Sequence, residues 1–171
     1  MISLPITALL FLTPAAPPQT PAPPPPVVME YSDAYRVRAK IHKIGSFAML
    51  PLAGTEFLLG NSLYNSSSEN KKSAHVAVGA TIGGLFAVNT ATGLWNLWDA
   101  RHDPNGRTKR WVHAILMMTA DAGFLATAAL GPENEHGSST SFADQRSRHR
   151  TVALGSLAVG TVGYLIMLIG K

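Results

Sequence analysis

The chain of 171 residues contains no cysteine. Without thiolates it cannot form disulfides, cysteine-ligated zinc sites or iron–sulfur clusters, and it cannot attach haem covalently in the c-type manner. Any bound metal must therefore be held by histidine or carboxylate. Charged residues are also scarce, at 14% against roughly 25% in typical soluble domains. The sequence contains no glycine-rich phosphate loop and no hydrolytic constellation, which argues against nucleotide and hydrolase chemistry.

The positive charge does not indicate a nucleic-acid-binding protein. The formal net charge is +4 and the isoelectric point is about 9.6. However, the lysines and arginines lie at the ends of long apolar blocks instead of forming one continuous basic face. Anionic lipid headgroups are therefore the expected partners, and nucleic acid is not.

The N-terminal part of the chain divides into two segments. Residues 2–12 are apolar, but they are too few to cross a hydrocarbon core, which needs about 20 residues. Small residues follow, so residues 1–13 resemble a signal peptide. Residues 14–26 are dominated by proline and are expected to be an extended, disordered spacer. A polar, basic stretch continues this predicted linker to residue 40.

Four apolar blocks follow, at about residues 44–64, 74–98, 111–131 and 151–170. Each is long enough to span a bilayer, and each is rich in small residues that favour close helix packing in lipid. The predicted connections (65–73, 99–110 and 132–148) are short and rich in turn residues. Residues 41–171 are therefore predicted to be an all-α, multi-pass membrane domain. Its expected fold is an antiparallel up-and-down four-helix transmembrane bundle.

Four of the six histidines occupy equivalent positions, one at the N-terminal edge of each block. They are His42, His75, His113 and His149. Because successive helices run in opposite directions, His42 and His113 are expected near one membrane face, and His75 and His149 near the other. Bis-histidine ligation of two haems requires this arrangement, because each iron takes one imidazole from either side of the porphyrin. A single interfacial histidine is more often a solvated residue than a ligand, but here the position recurs on all four helices.

Small and polar residues follow these histidines at helical spacing. Gly45 on the first helix and Gly79 on the second would leave room for a flat cofactor beside the ligand. The same glycines also suit ordinary helix packing. On the third helix the pattern is less regular.

The histidine spacings are 33 residues (His42 to His75), 38 (His75 to His113) and 36 (His113 to His149). In these spacings and in its topology, the region from about residue 40 to 171 resembles the cytochrome b-561 family of transmembrane di-haem proteins. The resemblance implies two b-type haems, one held by His42 and His113 and the other by His75 and His149. It also implies electron transfer from a quinol or small reductant. Together with the proline-rich leader, it favours a relative in the bacterial inner membrane, and other redox subunits would be natural partners.

Two polar residues inside the blocks are candidates for supporting roles, because ionisable and polar groups are costly in lipid. Glu56 and Asn89 each lie fourteen residues after the histidine of their own helix, about 21 Å along the axis, and so approach the opposite histidine level. Glu56 can accept a hydrogen bond from the non-ligating nitrogen of His75 or His149, or it can belong to a proton path. Asp121 is rotated away from His113 on the third helix, so direct cofactor contact is not expected there.

Two alternative functions remain open. In a haem-free membrane subunit or proton-coupled transporter component, Glu56 and Asp121 would carry protons and the histidines would be interfacial. In a structural anchor, the proline-rich segment would dock a soluble cytochrome. The orientation also stays open, because nine lysines and arginines on one face favour a cytoplasmic location, whereas a cleaved signal peptide would place that face outside.

Overall fold

The computed structural model describes residues 28–131 and 139–169. The signal-peptide-like segment 1–13, the proline-rich spacer and His136 lie outside these residues. The described chain forms four helices and no strand, so the all-α prediction is confirmed. The helices are α1 (Asp33–Asn65), α2 (Glu69–Asp99), α3 (Arg107–Ala129) and α4 (Ser139–Ile169).

The helix starts follow from local capping chemistry. The hydroxyl oxygen of Ser32 accepts a hydrogen bond from the Tyr35 backbone N–H at 3.2 Å, and Ser68 accepts one from Lys71 in the same way. These contacts satisfy backbone donors that have no partner within the helix. The α3 helix instead begins after Gly106, whose φ of 66° is a conformation that glycine adopts at little cost. The result is three residues between α1 and α2 and a tight turn before α3.

The helices extend beyond the apolar blocks that predicted them. The α1 helix begins at Asp33, inside the predicted linker, and α4 begins at Ser139, inside the predicted loop 132–148. Helix formation does not require apolar residues, and the capping serine before α1 stabilises a polar first turn. The four histidines, which mark the N-terminal edges of the apolar blocks, therefore lie one to three turns after the first residue of their helices.

The helices pack mainly as two hairpins. The most extensive contacts are between α1 and α2 and between α3 and α4, whereas α2 and α3 share a smaller contact. Among the described residues, few large apolar side chains are buried. The buried apolar residues are Ile82, Leu97, Ala100 and Ala120. Small residues therefore form most of the contact between helices, and the larger apolar side chains point outward.

Three helices, α2, α3 and the residues 141–169 of α4, are long and apolar enough to cross a membrane. The α1 helix, with 33 residues, is long enough but is not among them. Its apolar run is interrupted by Pro51, Glu56 and Asn61. The expectation of four apolar spans is therefore met by three of the four helices on hydropathy alone.

Candidate functional site

The histidines of α1 and α3 form the first pair. The ring centroids of His42 and His113 lie 6.1 Å apart, with an angle of 85° between the ring planes. The Nδ1 atom of His42 is 2.9 Å from the backbone oxygen of Asn89 on α2, and Nδ1 of His113 is 2.9 Å from that of Gly163 on α4. Each Nδ1 therefore donates to a carbonyl of the antiparallel neighbour. This tautomer leaves the Nε2 lone pair free.

The histidines of α2 and α4 form the second pair. The centroids of His75 and His149 lie 6.0 Å apart, with an interplanar angle of 69°. Nδ1 of His149 donates to the backbone oxygen of Thr127 at 2.8 Å. His75 has a different partner, because its Nδ1 lies 2.9 Å from Oε1 of Glu56. This ion-pair contact lies off the ring N–H direction, so it is close but not a hydrogen bond in its geometry.

These separations fit two imidazoles that share one metal ion. Two metal–nitrogen bonds of ~2 Å each, with about 1.1 Å from each nitrogen to its ring centroid, separate the centroids by roughly 6 Å. In both pairs the histidines come from helices of different hairpins. Second-sphere acceptors on the other ring nitrogen are the usual means of orienting a ligating imidazole. The residues present therefore fit a bis-histidine site at each level.

The residues that contact the four histidine Nδ1 atoms share one spacing in the sequence. The residue that contacts each Nδ1 lies fourteen positions after the histidine of its own helix: Glu56 after His42, Asn89 after His75, Thr127 after His113 and Gly163 after His149. The two hairpins therefore repeat the same pattern. Glu56 and Asn89, which were expected to approach the opposite histidine level, lie beside His75 and His42 respectively. Thr127 and Gly163 were not singled out, although the same spacing identifies them.

Glycines make room for the imidazoles. A Cβ atom at Gly93 on α2 would lie 2.9 Å from Cε1 of His42, and one at Gly60 on α1 would lie 3.4 Å from Cε1 of His75. The two glycines singled out from the sequence have different neighbours. A Cβ at Gly45 would meet Oδ1 of Asn89 at 2.3 Å, and one at Gly79 would meet Oε1 of Glu56 at 3.0 Å. Gly45 and Gly79 therefore accommodate the polar residues beside the histidines, and both contacts lie within the α1–α2 hairpin.

Asp121 lies away from the histidines, as its rotation predicted. Its carboxylate accepts a hydrogen bond from the Thr90 hydroxyl, which joins α3 to α2. Its second oxygen, Oδ1, is buried and has no partner among the described residues, and the same is true of Oε2 of Glu56. His102 is exposed in the turn between α2 and α3, as expected for a solvated loop residue.

A polar network closes the end of the molecule nearer the first pair. The Tyr31 hydroxyl donates to the buried carboxylate of Asp103, and Arg110 donates to the backbone oxygen of Asp103 at 2.8 Å. Burial, followed by this hydrogen bond, raises the pKa of Tyr31 to about 12. The same hydrogen bond is the largest cause that lowers the pKa of Asp103, and the Asn105 backbone N–H is the next. Tyr31 therefore remains a neutral donor to an ionised carboxylate at neutral pH.

Three arginines near the two histidine pairs have partners within the protein. Near the first pair, Arg38 stacks on Trp95, donates to Oδ1 of Asn96 at 3.0 Å and pairs with Asp99. Near the second pair, Arg146 and Arg150 lie over the Tyr64 ring at 4.7 and 4.5 Å. These contacts tie α1 to α2 at one end and to α4 at the other.

Within residues 28–131 and 139–169, no group of three or more histidine, cysteine, aspartate or glutamate side chains converges as a metal site. The histidine pairs supply two ligands each, which suits a metal whose remaining positions are filled by a macrocycle. Comparison with protein-family models, with curated proteins and with solved structures found no match.

Proposed function

We propose that this chain is a multi-pass membrane protein that holds two b-type haems and transfers single electrons from one membrane face to the other. One haem would be held by His42 and His113, and the other by His75 and His149. The four helices would form an antiparallel up-and-down bundle, and the bacterial inner membrane is the proposed location. In topology and histidine spacing the chain resembles the cytochrome b-561 family, and we propose that it is a relative of that family.

Membrane insertion is supported by the distribution of apolar side chains. Large residues stand fully outward along the helices, among them Leu125 at 74% exposure and Leu58 at 67%. Exposure of so large an apolar surface to water is unfavourable, whereas contact of the same surface with lipid chains is not. The α1 helix would join the three apolar helices as the fourth span, because Glu56, the acidic residue within its apolar run, contacts His75 on α2.

The observation that carries the haem assignment is the pairing of imidazoles across the two hairpins. Two independent pairs have nearly the same separation, 6.1 and 6.0 Å between ring centroids. In each pair, both Nδ1 atoms face an acceptor on a neighbouring helix, so both Nε2 atoms are available. Interfacial histidines without a shared ligand have no reason to adopt this arrangement twice.

Haem bound at these sites would supply reversible one-electron redox chemistry. The protein's own part is to hold each imidazole in orientation and to set the distance between the two levels. Because fourteen helical residues separate each histidine from the opposite level, the levels lie ~21 Å apart along the bundle. Two such sites in series divide the thickness of the membrane into short steps.

The proposed electron donor is a quinol or a small-molecule reductant, and other redox subunits of a membrane complex are proposed partners. Both histidine levels lie toward the ends of the helices, where a donor on one face and an acceptor on the other can approach. Membrane lipid is the surrounding partner, and nucleic acid is not part of the proposal.

A haem-free, proton-coupled membrane subunit is the second candidate, and one observation favours it. Glu56 and Asp121 each have a buried carboxyl oxygen without a hydrogen-bond partner in the described part of the chain. A neutral carboxyl group in lipid would leave such an oxygen, and neutral carboxyls are the form in which membrane proteins carry protons. This function requires no cofactor.

The experiment that separates the two is an absorption spectrum of the full chain purified in detergent, with haem quantified as its pyridine complex. We expect two b-type haems per chain and a reduced α-band. Changing His42 or His113 to alanine should remove one haem, and changing His75 or His149 should remove the other. His102→Ala, in the exposed turn, is the matched control and should retain both. A colourless protein of full helicity would overturn the haem proposal in favour of the proton-coupled one.

A further inference from the structure

The four histidines are alike in position but not in their partners. Three of the Nδ1 atoms, those of His42, His113 and His149, lie 2.8–2.9 Å from backbone carbonyl oxygens. The fourth, that of His75, faces the carboxylate of Glu56 at 2.9 Å. Glu56 on α1 and Thr127 on α3 each lie fourteen residues after the histidine of their own helix, so their positions are equivalent. At this position α1 presents a side-chain carboxylate to its neighbour, whereas α3 presents a backbone carbonyl. The repeat is therefore broken at one position, and only one of the two sites is affected.

We propose that Glu56 is a positioning residue that makes the two haem sites unequal, lowering the reduction potential of the site formed by His75 and His149. This inference rests on the proposed function. A carboxylate 2.9 Å from Nδ1 acts through its negative charge, which favours positive charge on the imidazole and raises its basicity more than a neutral carbonyl does. A more basic ligand stabilises ferric iron relative to ferrous iron, and the negative charge acts in the same direction.

The surroundings of Glu56 allow this charge to act. The side chains of Glu56 and His75 are both largely enclosed, with 22% and 21% exposure. Gly79, one turn after His75 on α2, provides the space that Glu56 occupies, since a Cβ there would lie 3.0 Å from Oε1. Two basic residues at this end, Arg146 and Arg150, contact Tyr64 and Asn61 at the end of α1. Neither is paired with the carboxylate, so its charge is not cancelled locally.

The consequence is that electron transfer between the two sites has a preferred direction. An electron shared between the two sites would reside preferentially at the one formed by His42 and His113, where both imidazoles face neutral carbonyls. A donor near the second pair and an acceptor near the first would match this gradient.

Potentiometric titration of the haem α-band in the purified full chain tests the inference. The wild-type protein should titrate as two one-electron components. Glu56→Gln keeps the side-chain volume and removes the charge. In this variant the reduction potential of the lower-potential component should rise, and that of the other component should not change. The expected shift raises its reduced-to-oxidised ratio at a fixed potential by about tenfold, or about 59 mV. Glu56→Asp, which keeps the charge but withdraws it from the ring, should give a smaller shift in the same direction.

Asp121→Asn is the matched control, because Asp121 is another enclosed carboxylate that contacts Thr90 and no histidine. It should leave the separation between the two components unchanged. If Glu56→Gln retains both haems and moves neither component, or moves the upper one, the inference is wrong while the di-haem proposal stands. If Glu56→Gln loses one haem, the test is made on Glu56→Asp instead. An unchanged reduction potential of the lower-potential component in Glu56→Asp would then refute the inference. A wild-type protein without haem would instead refute the proposed function.

Discussion

Substitution of Gly93 by alanine is expected to weaken the first histidine pair and leave the second unaffected. A Cβ at position 93 would lie 2.9 Å from Cε1 and 3.2 Å from Nδ1 of His42, whereas carbon atoms in contact prefer about 3.5–4.0 Å. The imidazole must therefore move away from α2 by at least about 0.6 Å. That movement lengthens the 2.9 Å contact between Nδ1 and the Asn89 carbonyl toward about 3.5 Å, where hydrogen bonding is lost.

The expected cost is about 1–3 kcal/mol, the range for adding a methyl group to a well-packed position. Each 1.4 kcal/mol corresponds to a factor of ten, so haem should leave the first site roughly 5–150 times faster. The rate is measured by haem transfer from the purified protein to excess apomyoglobin, which resolves two phases if the two sites differ.

Two alanine variants serve as controls. Gly84 lies on the same helix, and a Cβ there would meet nothing within 4 Å, so Gly84→Ala should leave both phases unchanged. Gly60→Ala places its Cβ 3.4 Å from Cε1 of His75, and should have a small effect on the second site only. If Gly93→Ala and Gly84→Ala release haem at the same rates, the steric role of Gly93 is refuted.

Three further outcomes follow from the geometry. The imidazole planes are near perpendicular, at 85° and 69°, so the two rings donate into different iron d orbitals and keep them close in energy. Electron paramagnetic resonance of the ferric protein should therefore show strongly anisotropic low-spin signals, with the larger anisotropy from the first pair; two rhombic signals typical of parallel rings would contradict this. Tyr31→Phe removes the main cause of the lowered pKa of Asp103, so it should lower the melting temperature. A carboxyl group whose pKa is lower in the folded protein than in the unfolded chain stabilises the fold at pH values above its unfolded pKa, which is about 3.9 for aspartate. This stabilisation is lost as the pH falls through the folded pKa. The difference in melting temperature between Tyr31→Phe and wild type should therefore be largest above about pH 4 and shrink below it. A difference that grows on acidification would refute the assignment. Gly45→Ala would bring a Cβ to 2.3 Å from Oδ1 of Asn89 and should lower the melting temperature more than Gly54→Ala, which meets nothing; equal melting temperatures would show that the α1–α2 contact is looser than described.

Hydrophobic blocks and histidine spacing carried most of the sequence-based prediction. The four helices, the proximity of His42 to His113 and of His75 to His149, and the approach of Glu56 to the level of His75 and His149 could all be predicted. These features could be predicted because the number of residues between two positions on a helix fixes the distance between them along the helix axis. The same arithmetic applied to α3 and α4 would have identified Thr127 and Gly163, but their contribution is a backbone carbonyl, which no side-chain pattern marks.

The helix starts and the roles of the glycines were less predictable. Polar first turns such as the one at Asp33 form because a serine caps them, so a search for apolar runs misses them. Gly45 and Gly79 were expected to leave room for a cofactor beside the histidines, and they lie against Asn89 and Glu56. Whether a glycine faces an imidazole, as Gly93 does, or a neighbouring amide, as Gly45 does, depends on a rotation of one residue, about 100° on a helix. Hydropathy separates α1 from the other three helices, because Glu56 and Asn61 lower its apolar character, and hydropathy does not register that Glu56 contacts His75 on α2.

Electron transfer across a sealed membrane tests the central claim most directly. The full chain is reconstituted into vesicles that contain ferricyanide, dithionite is added outside, and the loss of ferricyanide absorbance is followed. The proposed function predicts transfer that depends on the protein and is lost in either His42→Ala or His75→Ala, since an electron must pass both levels, while His102→Ala keeps the wild-type rate. Transfer no faster than in protein-free vesicles, or a rate unchanged by removal of either histidine, would contradict it.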